Sequence, residues 1–169
     1  MAQITIKTTI EKTNVESLLN QIYQVCRTDS NSSPRPIDEL ENAYKKSLLL
    51  VAINGSTVVG WLLRIPYTKE FQELAAGYVI ESHRSKGVFG RLLQEAFKHA
   101  PVSSIVTFNY TFADYLLNKI GFRKSSLWEA IKLSKGKFLI NRLNIKRLKA
   151  IRNHFKTNKP LYTLYTRYE

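Results

Sequence analysis

The string VIESHRSKGVFGRLL at 79–93 holds the residues whose types and spacing come nearest to specifying a chemistry. An apolar run passes through a short turn holding Gly87 and Gly90 into Leu92 and Leu93, where helical spacing begins. A strand that turns tightly into a helix leaves the first helical N–H groups without intrahelical acceptors, and these face an anion placed at the helix N-terminus. Arg84, Lys86 and Arg91 add positive charge there, while glycine at 87 and 90 admits backbone angles and a close approach that a Cβ hinders. Arg84, Ser85, Lys86, Gly87, Val88, Phe89, Gly90 and Arg91 are therefore expected to cradle a phosphate group. The G-x-G-x-x-G of a dinucleotide fold is absent, and so is the Gly-Lys-Ser/Thr ending of a nucleotide P-loop.

Little else competes with that loop. The single Cys26 cannot close an intramolecular disulfide and no Cys/His spacing suits a structural zinc ion, so no metal site and a cytoplasmic location are expected. No run approaches the about 20 apolar residues that cross a bilayer. The opening MAQITIKTTI alternates like a strand instead of forming a signal peptide's apolar core. The formal charge of +13, from 26 basic and 13 acidic residues, favours anionic partners without choosing between a phosphorylated ligand, nucleic acid and a lipid surface. Nine of the basic residues lie in 134–159, a stretch with no acidic residue.

The elements that must position the loop follow from periodicity. Ile4, Ile6 and Thr8 alternate with polar neighbours as a first strand. Asn14 is placed to cap a helix whose Val15, Leu18, Leu19, Ile22, Tyr23 and Cys26 form one apolar stripe. DSNSSPRP at 29–36 reads as a loop and 38–46 as a second helix. LLLVAIN and TVVGWLLRIPY flank Asn54 and Gly55, a turn pair that joins antiparallel strands. LAAGYVIE at 74–81 is a further strand and SSIVTFNY at 103–110 a buried one, followed by a short helix at 111–122 that Gly121 ends. SSLWEAIKL at 125–133 and LYTLYTRY at 161–168 read as strands on either side of the basic stretch, with Trp61 and Trp128 expected in the core or a cleft wall. The expected whole is one α/β (α+β) domain over residues 1–169 with a basic, helical insertion at 134–159 between its last two strands.

On these residues the chain resembles the GNAT superfamily of acyl-coenzyme A-dependent N-acyltransferases. Arg84 and Gly87 match the family's loop pattern Arg/Gln-x-x-Gly-x-Gly/Ala, with Phe89 in the usual small position and Gly90 one step later. A-x-x-L-L-x-x-x-G-F at 113–122 is similar to the family's helix ending in Gly-Phe, and the strand order over residues 3–133 is similar to its fold. The resemblance implies a mixed, splayed central sheet flanked by helices. It implies acetyl-coenzyme A (acetyl-CoA) or another short acyl-CoA as donor substrate, its pyrophosphate on the loop amides and its pantetheine arm paired with the backbone of Val79 and Ile80. The implied reaction is direct transfer of the acyl group to a primary amine of a small molecule or protein, with a backbone amide near Val79 or Ile80 polarising the thioester carbonyl.

Catalytic side chains are less fully implied. Glu73 lies near where some family members carry a base; the other reading is a solvated carboxylate at a strand edge. Glu81 replaces the family's common proline and is expected to pair with a loop cation, and His83 to pack or hydrogen-bond beside the loop. The family's thiolate-protonating tyrosine corresponds to Leu117, and Tyr115, about 200° around the helix, is no substitute. Tyr110, expected at a strand's end, is the candidate proton donor or a packing aromatic, and Asn109 beside it a candidate cofactor contact. A second reading keeps the fold without the chemistry: a non-catalytic module binding nucleic acid or an anionic surface through 134–159. An acidic or polyanionic partner at that segment and a homodimer remain open on the sequence.

Overall fold

The computed structural model describes residues 4–8, 15–28, 35–55, 57–142 and 163–169. Its strands are β1 (Ile4–Lys7), β2 (Leu49–Asn54), β3 (Thr57–Pro66), β4 (Phe71–Val79), β5 (Val102–Thr107), β6 (Arg123–Ser125) and β7 (Thr163–Tyr168). Its helices are α1 (Val15–Thr28), α2 (Ile37–Lys45), α3 (Val88–Phe97), α4 (Tyr110–Tyr115), α5 (Leu127–Leu133) and α6 (Lys137–Arg142). The strands make a seven-stranded mixed sheet in the order β1-β2-β3-β4-β5-β7-β6. The chain divides into two compact units, Met1–Arg64 with Ala75–Lys98, and Ile65–Leu74 with His99–Glu169.

In the first unit β1, β2 and β3 form an antiparallel meander, from Ile4↔Asn54 and Leu49↔Leu63, with a register shift between Ala52 and Ile53. The β2–β3 turn falls on Asn54 and Gly55 as expected, and Gly55 takes a φ of 62° that a side chain would resist. Leu18, Leu19, Ile22 and Cys26 of α1 are buried, so the stripe read from the sequence is the face that meets the core. Leu92, Leu93 and Ala96 bury the inner face of α3, which packs on β1 and β2. Trp61 is fully buried on β3. The expected cap at Asn14 and the loop at 29–34 lie outside the described residues.

In the second unit β4 runs parallel to β5 from Phe71↔Val102 to Leu74↔Ile105, where this register ends, while β5 continues to Thr107. The last strand, β7, lies between β5 and β6 and is antiparallel to both. The helix expected at 111–122 forms as α4 continued by a π turn over Leu116–Ile120, and Gly121 ends it at a φ of 83°. The strand expected at 125–133 is corrected: β6 stops at Ser125, and Ser126 Oγ accepts the Glu129 N–H at 3.2 Å to cap α5. Trp128 therefore projects from a short surface helix and is 79% exposed, not packed in a core. Buried Ser134 donates its hydroxyl to Ile131 O and accepts the Phe138 N–H, and Gly136 at a φ of 81° turns the chain into α6. Tyr67, Phe71, Ala130, Phe138 and Leu164 share one core there. Of the basic stretch, 143–159 lies outside the described residues.

Candidate functional site

The first unit supplies an anion-facing loop. After β4 the chain makes a 3-10 turn over Glu81–His83, and Ser85 and Gly87 then adopt φ of 60° and 72° before α3 begins. A left-handed non-glycine residue costs about 1 kcal/mol, and such cost concentrates where backbone groups are held for a ligand. Gly87 is the N-cap of α3 and caps nothing through a side chain; the first intrahelical bond runs from Arg91 N to Gly87 O. A Cβ at Gly87 would meet nothing within 4 Å, so glycine there serves the backbone angle rather than crowding. Left-handed Ser85 and Gly87 ahead of an uncapped helix N-terminus leave N–H groups there for an anion.

The loop's side chains depart from expectation in instructive ways. Arg84 turns back onto β4, its Nε donating to Val79 O at 3.1 Å and its Nη2 to the Tyr78 hydroxyl at 3.4 Å. The guanidinium lies 5.5 Å from the Tyr78 ring centroid, and that ring stacks on Trp61 at 5.0 Å, so a buried indole carries the phenol that carries the cation. Arg91 Nη1 donates to Ile4 O at 3.3 Å, whereas Lys86 is exposed. The Ile80 N–H donates to Val59 O and so is not left to polarise a carbonyl, and Ile80 O accepts from His83 N. His83 is held by Asn54 Nδ2 and Ser82 Oγ, the hydrogen-bonded reading. Glu81 is exposed and forms no ion pair among the described residues, contrary to the pairing expected of it. Phe89 is accommodated by Gly77 on β4: a Cβ at Gly77 would lie 2.7 Å from Phe89 Cε2. One strained position went unread in the sequence, Ala76, whose φ of 47° within β4 breaks the pleat.

The second unit gathers polar groups around Glu73. That carboxylate is 3% exposed, so the reading of a solvated strand-edge acid is corrected. Its Oε2 accepts the Tyr67 hydroxyl at 2.7 Å and Arg142 Nη1 at 3.1 Å, and its Oε1 accepts Arg142 Nη2 at 3.1 Å. Asn141 Nδ2 donates to the Tyr67 hydroxyl at 2.8 Å, which fixes that hydroxyl's own proton on Glu73. Lys137 Nζ reaches Tyr67 O at 3.2 Å, and the Arg142 guanidinium stacks 3.8 Å from the Phe138 centroid. Burial pushes the Tyr67 phenol well above its ordinary pKa, and the neighbouring Glu73 charge pushes it further. Burial alone would lower Arg142, but the Glu73 carboxylate and Tyr67 more than reverse this and raise it. The cluster is therefore a neutral phenol, a carboxylate and a guanidinium. Sequence reasoning singled out Glu73 alone; Tyr67 ended a strand and Asn141 and Arg142 lay in the basic stretch, with nothing to mark them as its partners.

The remaining candidates sit apart from that cluster's bonding. Asn109 is the N-cap of α4, its Oδ1 accepting from Phe112 N at 3.0 Å, which commits the side chain to the helix start. Tyr110 is the first residue of α4, past the strand's end, and is 76% exposed. Leu117 lies in the π turn. Among the described residues no His, Cys, Asp and Glu side chains group as metal ligands, and no helix is long and apolar enough to cross a membrane.

No protein-family profile and no curated protein matches the chain. Solved structures do. An N-acetylglutamate synthase from Neisseria gonorrhoeae, complexed with coenzyme A and N-acetyl-glutamate, matches with a TM-score of 0.66 at 14% identity over 99% of this chain, which covers only 35% of that one. Rv2747 from Mycobacterium tuberculosis, in complex with CoA and NLQ, matches with a TM-score of 0.65 at 16% identity over 98% of this chain and 99% of its own. An acetyltransferase of the GNAT family from Staphylococcus aureus Mu50 matches with a TM-score of 0.63 at 17% identity, over 98% of this chain and 99% of that one. In its mixed sheet flanked by helices, the chain has the fold of the GNAT acetyltransferases.

Proposed function

We propose that this chain is an acyl-CoA-dependent N-acyltransferase that moves an acetyl or other short acyl group from the thioester to a primary amine. The observation that carries the reading is the uncapped N-terminus of α3 behind Gly87, on a fold that GNAT acetyltransferases share. The residues present fit the donor's pyrophosphate: left-handed Ser85 and Gly87 shape the turn, no side chain occupies the cap, and Lys86 is exposed beside it. The backbone of β4 beyond Leu74 is the edge assigned to the pantetheine arm, with Val79 at its end. Because the Ile80 N–H is spent on Val59 O, polarisation of the thioester falls to an amide earlier on β4, near the pleat break at Ala76.

In the proposed step the acceptor ammonium loses one proton to Glu73 and its nitrogen attacks the thioester carbon. A C–N bond forms, the C–S bond breaks, and the sulfur leaves with the electron pair. The second nitrogen proton goes to that thiolate, and Glu73 returns its proton to solvent. Tyr110 is the candidate relay to the thiolate, which can also leave unprotonated because an ordinary thiol pKa is near about 8.5. Residues 134–159, with nine cations and no acid, support an acidic acceptor or partner at that segment.

The test is calorimetry with CoA alongside a thiol-release assay with amine acceptors. Lys86→Glu is expected to weaken CoA binding at least about tenfold, since a charge-assisted contact to phosphate is lost and a repulsive one gained. Arg84→Glu should act through the end of β4 as well as through charge. Unchanged affinity in both variants would remove the phosphates from this loop.

A further inference from the structure

Glu73 presents a contradiction for any step in which it takes a proton. Both of its oxygens are filled by Tyr67 and by the two-pronged Arg142 guanidinium, and it is 3% exposed. While that pair stands, the carboxylate has nothing to offer an ammonium ion. An acceptor carrying only a positive charge would have to strand Arg142, and one carrying only a negative charge would strand Glu73; a buried charge left without its partner is strongly disfavoured. An acceptor carrying both charges strands neither.

The geometry points to Glu73 and Arg142 as an acceptor subsite for an amine that also bears a carboxylate, an amino-acid-like zwitterion whose ammonium takes Arg142's place on Glu73 and whose carboxylate takes Glu73's place on Arg142. Three features suit Arg142 to this. Its side chain is 27% exposed, so it can be reached from solvent, whereas that of Glu73 is 4% exposed. Its stacking on Phe138 holds the guanidinium plane without consuming an N–H donor. Two of its five N–H donors are engaged with Glu73 and it also hydrogen-bonds Tyr67, which still leaves donors for a second carboxylate. Tyr67, pinned by Asn141, stays on Glu73 through the exchange and keeps the carboxylate oriented toward the ammonium. Arg142 thereby both selects the acceptor and, by leaving Glu73, frees it to accept the proton.

This rests on the acyl-CoA reading, and the experiment separates the two. α-Amino acids are compared with their own carboxamides as acceptors for acetyl-CoA, with CoA affinity measured on the same protein by calorimetry. The acids are expected to be used at least tenfold better in kcat/KM than the amides. Arg142→Gln should bring that ratio close to one, Arg142→Lys should restore part of it, and CoA affinity should stay within twofold throughout. Because Arg142→Gln strands a buried carboxylate, the doubly neutral Glu73→Gln with Arg142→Gln is measured beside it: turnover drops, and binding of the acid to the CoA-bound protein shows no preference over the amide. A structural role alone would depress acids and amides equally and leave their ratio unchanged, which overturns the proposal. So does intact CoA binding with no panel amino acid bound or acylated, an outcome that spares the donor reading. Failure of the wild-type protein to bind CoA removes the donor reading and the subsite with it.

Discussion

Phe89 shows how a side chain that contradicts a motif can be read. It stands where the resemblance places a small residue, and its ring is seated because Gly77, on the facing strand, has no Cβ. Gly77→Ala is expected to destabilise the protein by about 1–3 kcal/mol through overpacking, and Phe89→Ala to relieve much of that cost. Urea unfolding of the single and double variants measures the coupling; additive shifts would refute the pairing. The motif and its departure were legible in the sequence, but the compensating glycine twelve positions upstream was not, because strand-to-helix facing is a tertiary fact. Tyr67 carries a second residue-scale prediction. Its folded pKa is raised above the ordinary value of about 10. Its stabilising contribution is therefore fully present below about pH 10 and is lost as the pH rises beyond that, where the unfolded phenol ionises and the folded one resists. Thermal unfolding followed from pH 8 to 11 should fall steeply at the alkaline end, and less so in Tyr67→Phe. Tyr115, held up by burial, and Tyr168, held up by burial and Glu129, keep part of the slope in that variant.

At the scale of elements, the strongest sequence signals were those with one periodicity. The α1 stripe and the hairpin at Asn54 and Gly55 formed where read, since burial of one face and a positive φ leave few alternatives. The run at 125–133 failed because Leu127, Trp128, Ile131 and Leu133 suit a strand by residue type, while Ser126 and Glu129 carry the spacing of a helix start. The cap decides it, since only Ala130 of α5 is fully buried and the helix has little hydrophobic contact to hold it. Ser126→Ala should therefore cost about 1 kcal/mol, with Ser126→Asp close to wild type. Chemical denaturation resolves this, and a neutral Ser126→Ala would mean that packing of Ala130 and Leu133, not the cap, starts α5. The consequence reaches the candidate site, because α5 hands the chain through Ser134 and Gly136 to α6, and α6 carries Asn141 and Arg142.

For the molecule as a whole, the order of elements was legible but the long-range pairings were not. Glu73 and Arg142 are separated by 69 positions, and nothing in the composition of either neighbourhood marks them as partners. The charge of +13 illustrates the same limit: Lys137 and Arg142, two of the nine cations counted in 134–159, are spent on Tyr67 O and Glu73. Recruitment of an acidic acceptor by the remaining cations of 134–159, as proposed above, would be a long-range charge effect, which salt separates from the contact made by Arg142. Exposed charges are screened over about 8 Å at physiological ionic strength, whereas a largely buried pair is screened much less. Reversing Lys149, Arg152 and Lys156 together should raise KM for an acidic acceptor several-fold while leaving CoA affinity nearly intact. Added salt should reproduce part of that defect in the wild-type protein. The acid-to-amide ratio set by Arg142 should barely respond to salt, because it is fixed by contact. Steady-state kinetics at two salt concentrations, with a free amino acid and an acidic peptide as acceptors, test both halves at once. If the triple reversal instead weakens CoA binding with normal acceptor saturation, these cations serve the donor, and the acceptor is chosen at Glu73 and Arg142 alone.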